Sequence, residues 1–238
     1  PTVCSETCVG RLRYLGVLLY DADRVTWAAA QKDERDLFPA QKEILLDPRD
    51  PEVVAQAHMN GVPHSWIVAA QESPVWDLIS AYGVALPLHP EFRTLPMVWY
   101  VPPLSPVVDA VTASGNDGED HRVLLSAISQ MRIPMEYLAG LFTAGDTAPV
   151  ELSLRRLAAM RSYMRDVFMG REGNESIAAS VGMDGATIKR CTGFWPSPST
   201  TKGTSYPRPV RSFPAGSRSS KAARSPTTSK RSTGSARA

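Results

Sequence analysis

The stretch APVELSLRRLAAMRSYMRDVFMG (residues 148–170) decides how this chain is read. Leu152, Leu157, Met160 and Met164 recur at helical spacing and are expected to share one buried face, with Gly170 as the stop. Working outward, PMEYLAGLFTAG (134–145) and residues 121–132 carry the same period. Asp50-Pro51 and Ser73-Pro74 each place a capping residue before a proline that suits the first helical position, and Gly61 and Gly83 offer stops. Helices are predicted near 51–60, 63–72 and 74–82. The expected fold class is therefore α+β, mostly helical.

Two other stretches are not helical. RLRYLGVLLYDAD (11–23) is a bounded apolar run, predicted as one strand that is at least half buried. VALPLHPEFRTLPMVWYVPPLSP (84–106) carries Pro87, Pro90, Pro96, Pro102, Pro103 and Pro106, which remove backbone donors and forbid a continuous helix or a central strand. With Phe92, Trp99 and Tyr100 interleaved, it reads as an extended arm lying across another surface. ASGNDGED (113–120) is a loop by composition.

Charge divides the 238 residues unevenly. Eleven of the 26 Lys/Arg and none of the 24 Asp/Glu fall from Lys189 onward, so the body is acidic and the tail basic. The tail is Ser, Pro, Thr and Arg with little to bury, and is expected to be disordered. Such a tail, with Phe194, Trp195, Tyr206 and Phe213, suits loose binding of nucleic acid through phosphates and stacking, or is not a selected sequence at all. Cys4, Cys8 and Cys191 are too few for a disulfide framework, which favours a reducing compartment. No window reaches the roughly 18 to 20 apolar residues of a membrane-spanning helix, and no secretory signal is visible.

Sites of chemistry are sparse. Neither a G-x-S-x-G turn nor a glycine-rich phosphate cradle occurs, so no catalytic centre is expected in this chain. Cys4-x3-Cys8 has the spacing of the last step of the ferredoxin run C-x2-C-x2-C-x3-C, and equally that of two buried structural thiols. A zinc site would recruit His58, His64, His89 or His121. His58 and His64 lie about fifty residues from the cysteines, however, and the histidines read as surface or capping groups.

Taken together, PTVCSETCVGRLRYLGVLLYDAD (1–23), LDPRDPEVVAQA (46–57), the proline arm, RIPMEYLAGLFTAGD (132–146) and LRRLAAMRSYMR (154–165) resemble the beta subunit of respiratory nitrate reductase. The likeness runs in order from residue 1 to about 188. It implies an electron-transfer subunit between a membrane haem b gamma subunit and a molybdenum-containing catalytic alpha subunit that reduces nitrate to nitrite. No nucleic acid is then expected as a partner. Residues 1–24 would be the edge of a ferredoxin-like iron-sulfur domain. Residues 25–188 would be a helical and extended C-terminal extension packing on the catalytic subunit, and 189–238 a disordered basic tail. The place implied is the cytoplasmic face of the cell membrane, reached through partner subunits. Beta subunits of related molybdenum enzymes acting on chlorate, selenate or hydrocarbons share much of the pattern.

The family carries three [4Fe-4S] clusters and one [3Fe-4S] cluster. By position, Cys4 matches a ligand of one [4Fe-4S] cluster and Cys8 the last ligand of its neighbour nearer the molybdenum. Val9 stands where Pro often follows. The other ligands lie upstream in the family, so this chain alone is expected to assemble neither cluster.

Beyond VGMDGATI (181–188) the likeness stops. The family continues with a helix resembling E-x-M-Y-R-x-L-A-I-A, whereas the chain reads KRCTGFWPSPST (189–200). Permitted codons for that segment, read from the third base, give EMYRLLAIAKY. A frameshift near residue 189 is the reading this suggests, and Cys191 is then no ligand.

Overall fold

The computed structural model describes residues 12–115 and 121–193. Among them the chain is mostly helical with four two-residue strands. In order these are β1 (Arg13–Tyr14), β2 (Leu19–Tyr20), α1 (Val25–Ala29), α2 (Leu37–Glu43), β3 (Leu45–Leu46), α3 (Pro51–Met59), α4 (His64–Glu72) and α5 (Pro74–Trp76). Then come β4 (Trp99–Tyr100), α6 (Ser105–Ala113), α7 (His121–Ser126), α8 (Met135–Phe142), α9 (Thr147–Phe168), α10 (Glu175–Ser180) and α11 (Gly185–Thr192).

Helix α9 is the axis, packing against α7, α8, α10 and α11. Asp146 caps it by accepting from Ala148 N at 3.0 Å, and Gly170, at φ 73°, ends it where expected. Its buried face carries Val150, Leu154, Leu157, Ala158 and Met160. Leu152 does not belong to that face and is exposed. It stands two residues past Val150, about 200° round the helix at 3.6 residues per turn. The main core joins this face to Val75, Leu78, Ile79, Val84, Leu86, Trp99, Val107, Leu138 and Ile188. Burial of each large side chain there contributes about 1.5–3 kcal/mol.

Helices α3 and α4 start and stop close to the predicted bounds, with Asp50 accepting from Glu52 N at 2.9 Å. The third expected helix is only one turn, α5, and widens into a π-helical segment over Asp77–Ala81. Gly83 follows at φ 58°.

The single strand expected over 11–23 is in fact two. β1 pairs antiparallel with β4 (Arg13↔Tyr100, Tyr14↔Trp99), and β2 with β3 (Leu19↔Leu46, Tyr20↔Leu45). Gly16 separates them because the chain there runs hard against α5: a Cβ would meet Ser73 Oγ at 2.2 Å. Burial over 11–23 is also less than expected: Leu15, Val17 and Tyr20 are exposed, while Tyr14 and Leu18 pack against the core half-buried.

At the far end, the compositional change expected at 189 does not end the fold. Helix α11 continues through Thr192, capped by Asp184, which accepts from Thr187 N at 2.6 Å. Ile188 and Cys191 reach the main core because they lie one turn apart on one face. The tail from 194 onward lies outside the described residues.

Tyr163 of α9 sets the position of these last helices. Its hydroxyl donates to Glu175 Oε1 at 2.9 Å, and the other oxygen of that carboxylate accepts from Gly185 N at 3.0 Å. Two glycines admit the tyrosine: a Cβ at Gly173 would stand 2.2 Å from its ring, and one at Gly185 2.2 Å from its hydroxyl. Gly173→Ala and Gly185→Ala should each lower unfolding stability by about 1–3 kcal/mol in urea titrations, as overpacking does. Gly140→Ala, on the exposed side of α8 with nothing within 4 Å of the added carbon, should be neutral or gain up to about 1 kcal/mol.

Burial, with the Asp77 charge adding to it, pushes the Cys191 thiol up from 9.0 to about 12. An unfolded thiol ionises first as pH rises, so the stabilising contribution of the neutral thiol is complete below about 9 and is lost toward about 12. Denaturant midpoints followed over that range should fall with pH, and Cys191→Ala should remove part of the slope whatever it does to the midpoint at neutral pH.

Candidate functional site

Cys4 and Cys8 lie outside the described residues. The structure does describe what the chain does immediately afterwards. Leu12 O accepts from Val101 N at 2.9 Å, and β1 then pairs with β4. On its other side β4 bonds to Leu86 through Leu86 N to Tyr100 O at 2.8 Å and Tyr100 N to Leu86 O at 2.7 Å. Trp99, fully buried, anchors this small ribbon in the core. The segment leaving the cysteine pair is thus stitched to the proline arm.

The arm is extended, as expected, and its two ends are built into the protein. Val84, Ala85, Leu86, Trp99 and Val101 are buried. Between them a turn of 3₁₀ helix over Pro90–Phe92 is flanked by His89 at φ 52° and Arg93 at φ 58°, left-handed conformations that non-glycine residues adopt only when held. The restraints are visible. His89 N donates to Leu141 O at 2.7 Å, and His89 Nδ1 lies 2.7 Å from Glu91 Oε1. Arg93 Nη1 donates to Ala29 O and Gln31 O, both at 2.7 Å. The buried Gln41 side chain donates to Thr94 O at 3.2 Å. Fixed in this way, the arm leaves Phe92 70% and Met97 74% exposed, with Leu88 and, on α8, Tyr137 also open to solvent. Large apolar groups held outward by a restrained backbone are what a protein interface uses.

Chemistry of the described residues is otherwise quiet. A cavity of about 540 Å³ is lined by Arg49, Asp77, Ala81, Tyr82, Thr187 and Arg190. Its strongest charges are already paired: Arg49 donates to both Asp77 oxygens at 2.8 Å and to Gln71 O at 3.2 Å. The hydrogen bond to Asp77 holds the guanidinium above its usual value. The pair ties the turn before α3 to the π segment. No spacing in the sequence announced it, since 28 residues separate the partners.

No group of three or more His, Cys, Asp or Glu side chains able to hold a metal ion occurs among the described residues. Cys191 is buried in the main core, where its thiolate is disfavoured. His58 and His64 are exposed, His89 is half-buried in the arm turn, and the side chain of His121 lies outside the described residues. No described helix is long and apolar enough to cross a membrane.

Residues 104–185 match the family described as respiratory nitrate reductase beta C-terminal. The chain is 51% identical over 185 residues to the nitrate reductase beta chain of Bacillus subtilis, covering 77% of this chain and 37% of that one. It is 56% identical over 167 residues to the respiratory nitrate reductase 1 beta chain of Escherichia coli, covering 69% and 32%. More distantly, it is 30% identical over 142 residues to the dimethylsulfide dehydrogenase subunit beta of Rhodovulum sulfidophilum, covering 60% and 25%. The chain spans about a third of the length of the nitrate reductase relatives it matches. Over the part it shares with them, helical body and restrained arm included, the chain belongs to the respiratory nitrate reductase beta family.

Proposed function

We propose that this chain is the C-terminal part of the electron-transfer subunit of a membrane-associated respiratory nitrate reductase. It serves passage of electrons through iron-sulfur clusters from a haem b subunit to a molybdenum catalytic subunit that reduces nitrate to nitrite. The observation that carries this reading is identity above half to nitrate reductase beta chains of two distant bacteria over most of the chain. A beta subunit of a related molybdenum oxidoreductase is the second reading. It is favoured by the match to the Rhodovulum protein and disfavoured by the much lower identity of that match.

Within this reading the residues divide the work. Cys4 and Cys8 each supply one thiolate to a different [4Fe-4S] cluster, and residues 1–24 form the edge of a ferredoxin-like domain. Thiolates are the donors such clusters take, and the clusters supply one-electron redox steps. The described body has no reaction of its own. It positions: the β1–β4 ribbon fixes the chain that leaves the cysteines, and the arm offers apolar side chains to the catalytic subunit. Residues 189–238 have no part in electron transfer in this reading, which treats them as the product of a shifted frame.

Two experiments test it. In the assembled complex, Cys4→Ala and Cys8→Ala should change the EPR signals of two different clusters; unchanged spectra for both would refute the ligand roles. Phe92→Glu combined with Met97→Glu should abolish co-purification with the catalytic subunit while leaving the melting temperature of the chain within about 2 °C, since exposed substitutions rarely cost more than about 0.5 kcal/mol. Undiminished co-purification would show that the arm is not a docking surface.

A further inference from the structure

Among the described residues three that are not glycine hold left-handed backbone: His89 at φ 52°, Arg93 at φ 58° and Ala144 at φ 52°. They converge on one side of the protein. His89 N donates to Leu141 O near the end of α8, just before Ala144, and Arg93 Nη1 donates to Gln31 O, next to Lys32. Ala144 in turn lines an open cleft of about 730 Å³ with Lys32, Asp33, Glu34 and Arg35. The reversal at Ala144 is held from beneath by the fully buried Thr143, whose hydroxyl donates to Ala139 O at 3.0 Å. A left-handed residue that carries a Cβ persists only where its surroundings over-determine it, and such residues gather at binding sites.

The cleft adjoins the arm turn but differs from it in chemistry. Lys32, Asp33, Glu34 and Arg35 are consecutive and exposed. Asp33 caps the short 3₁₀ turn Glu34–Asp36 by accepting from Arg35 N at 3.0 Å, which fixes the backbone that carries them. Arg24, Arg49, Arg155 and Arg171 each reach a carboxylate, whereas among the described residues none of these four side chains has an ion-pair partner. We infer that the quartet is the charged half of the docking face whose apolar half is Phe92 and Met97. Its occupant is a segment of the catalytic subunit that sets acidic side chains opposite Lys32 and Arg35 and a basic one opposite Glu34. This rests on the docking role proposed for the arm. The apolar half supplies contact area, and the order of charges selects the partner and fixes its register. A second copy of the chain does not fit. Two-fold pairing centred on the segment would set Lys32 against Arg35 and Asp33 against Glu34, like against like.

The test exchanges two neighbours, Glu34→Arg with Arg35→Glu, which keeps composition and net charge and changes only the order; Asp33 stays because it caps the turn. Binding of the full chain to immobilised catalytic subunit is followed in time. The exchange should slow association at least about tenfold at about 0.01 M salt, and the gap should close toward about 1 M, where charges are screened. Arg161→Glu with Glu172→Arg, an exchange of exposed charges elsewhere, should bind as the parent does. If Phe92→Glu with Met97→Glu abolishes binding while the Glu34/Arg35 exchange binds like the parent, the inference is overturned and the docking role of the arm stands. Parent-like binding by both overturns both. An equal loss from the Arg161/Glu172 exchange, or a parent dimer in sedimentation that the Glu34/Arg35 exchange breaks, would also overturn it, the latter by making a second copy the occupant.

Discussion

Arg156 is the residue on which the arrangement of this protein depends. From the middle of α9, its Nη1 donates to Tyr82 O at 2.8 Å and its Nε to Val181 O at 3.2 Å. Burial lowers its pKa from the ordinary arginine value, since withdrawal from water disfavours the cation. One side chain thereby joins the point where the chain enters the proline arm to the turn between α10 and α11. Gly83 leaves room for it, since a Cβ there would stand 2.5 Å from the guanidinium. Three residues earlier on the helix, Ser153 Oγ donates to Val84 O at 2.9 Å and extends the same seam. Losing a buried donor's partner costs about 1–3 kcal/mol, and here the orphaned groups would include two main-chain carbonyls on different parts of the chain.

That seam explains why so little regular sheet is needed. The arm cannot form a continuous strand because its prolines lack donors, and each β pairing is two residues long. Side chains take over where the ladder fails: Ser153 and Arg156 at the entry, Gln41 and Arg93 at the turn, and Trp99 in the core beyond it. The two-residue strands are sufficient because they only set register, while packing on α9 supplies the stability.

Much of the helical framework was legible in the sequence because its signals are local. Asp50-Pro51, Gly61 and Gly170 act within one turn, and the helices they bound end close to where those residues predict. What the sequence hid depends on distant contacts. Gly16 splits the apolar run because of Ser73, nearly sixty residues away, and Leu152 is exposed because the core face of α9 is set by its neighbours rather than by its own leucines. Cys191 looked like part of a polar tail, yet its place one turn after Ile188 puts it in the core. For the site, residue types and spacing left Cys4 and Cys8 ambiguous between ligands and buried thiols, and the proposal that they are ligands rests on the family likeness alone. The arm's apolar aromatic content was visible, whereas the restraints that aim it were not, since Arg93 and Gln41 bond to main chain that no motif marks.

Holding the arm turn between two left-handed residues has a kinetic consequence. A partner that meets Phe92 and Met97 meets side chains on a backbone already in place, so little ordering entropy is lost when they are covered. Loosening the turn from afar, at Arg93 or Gln41, would leave the contact surface chemically intact while restoring that entropic cost. The effect would then fall mainly on how long an assembled complex lasts rather than on how often its parts collide.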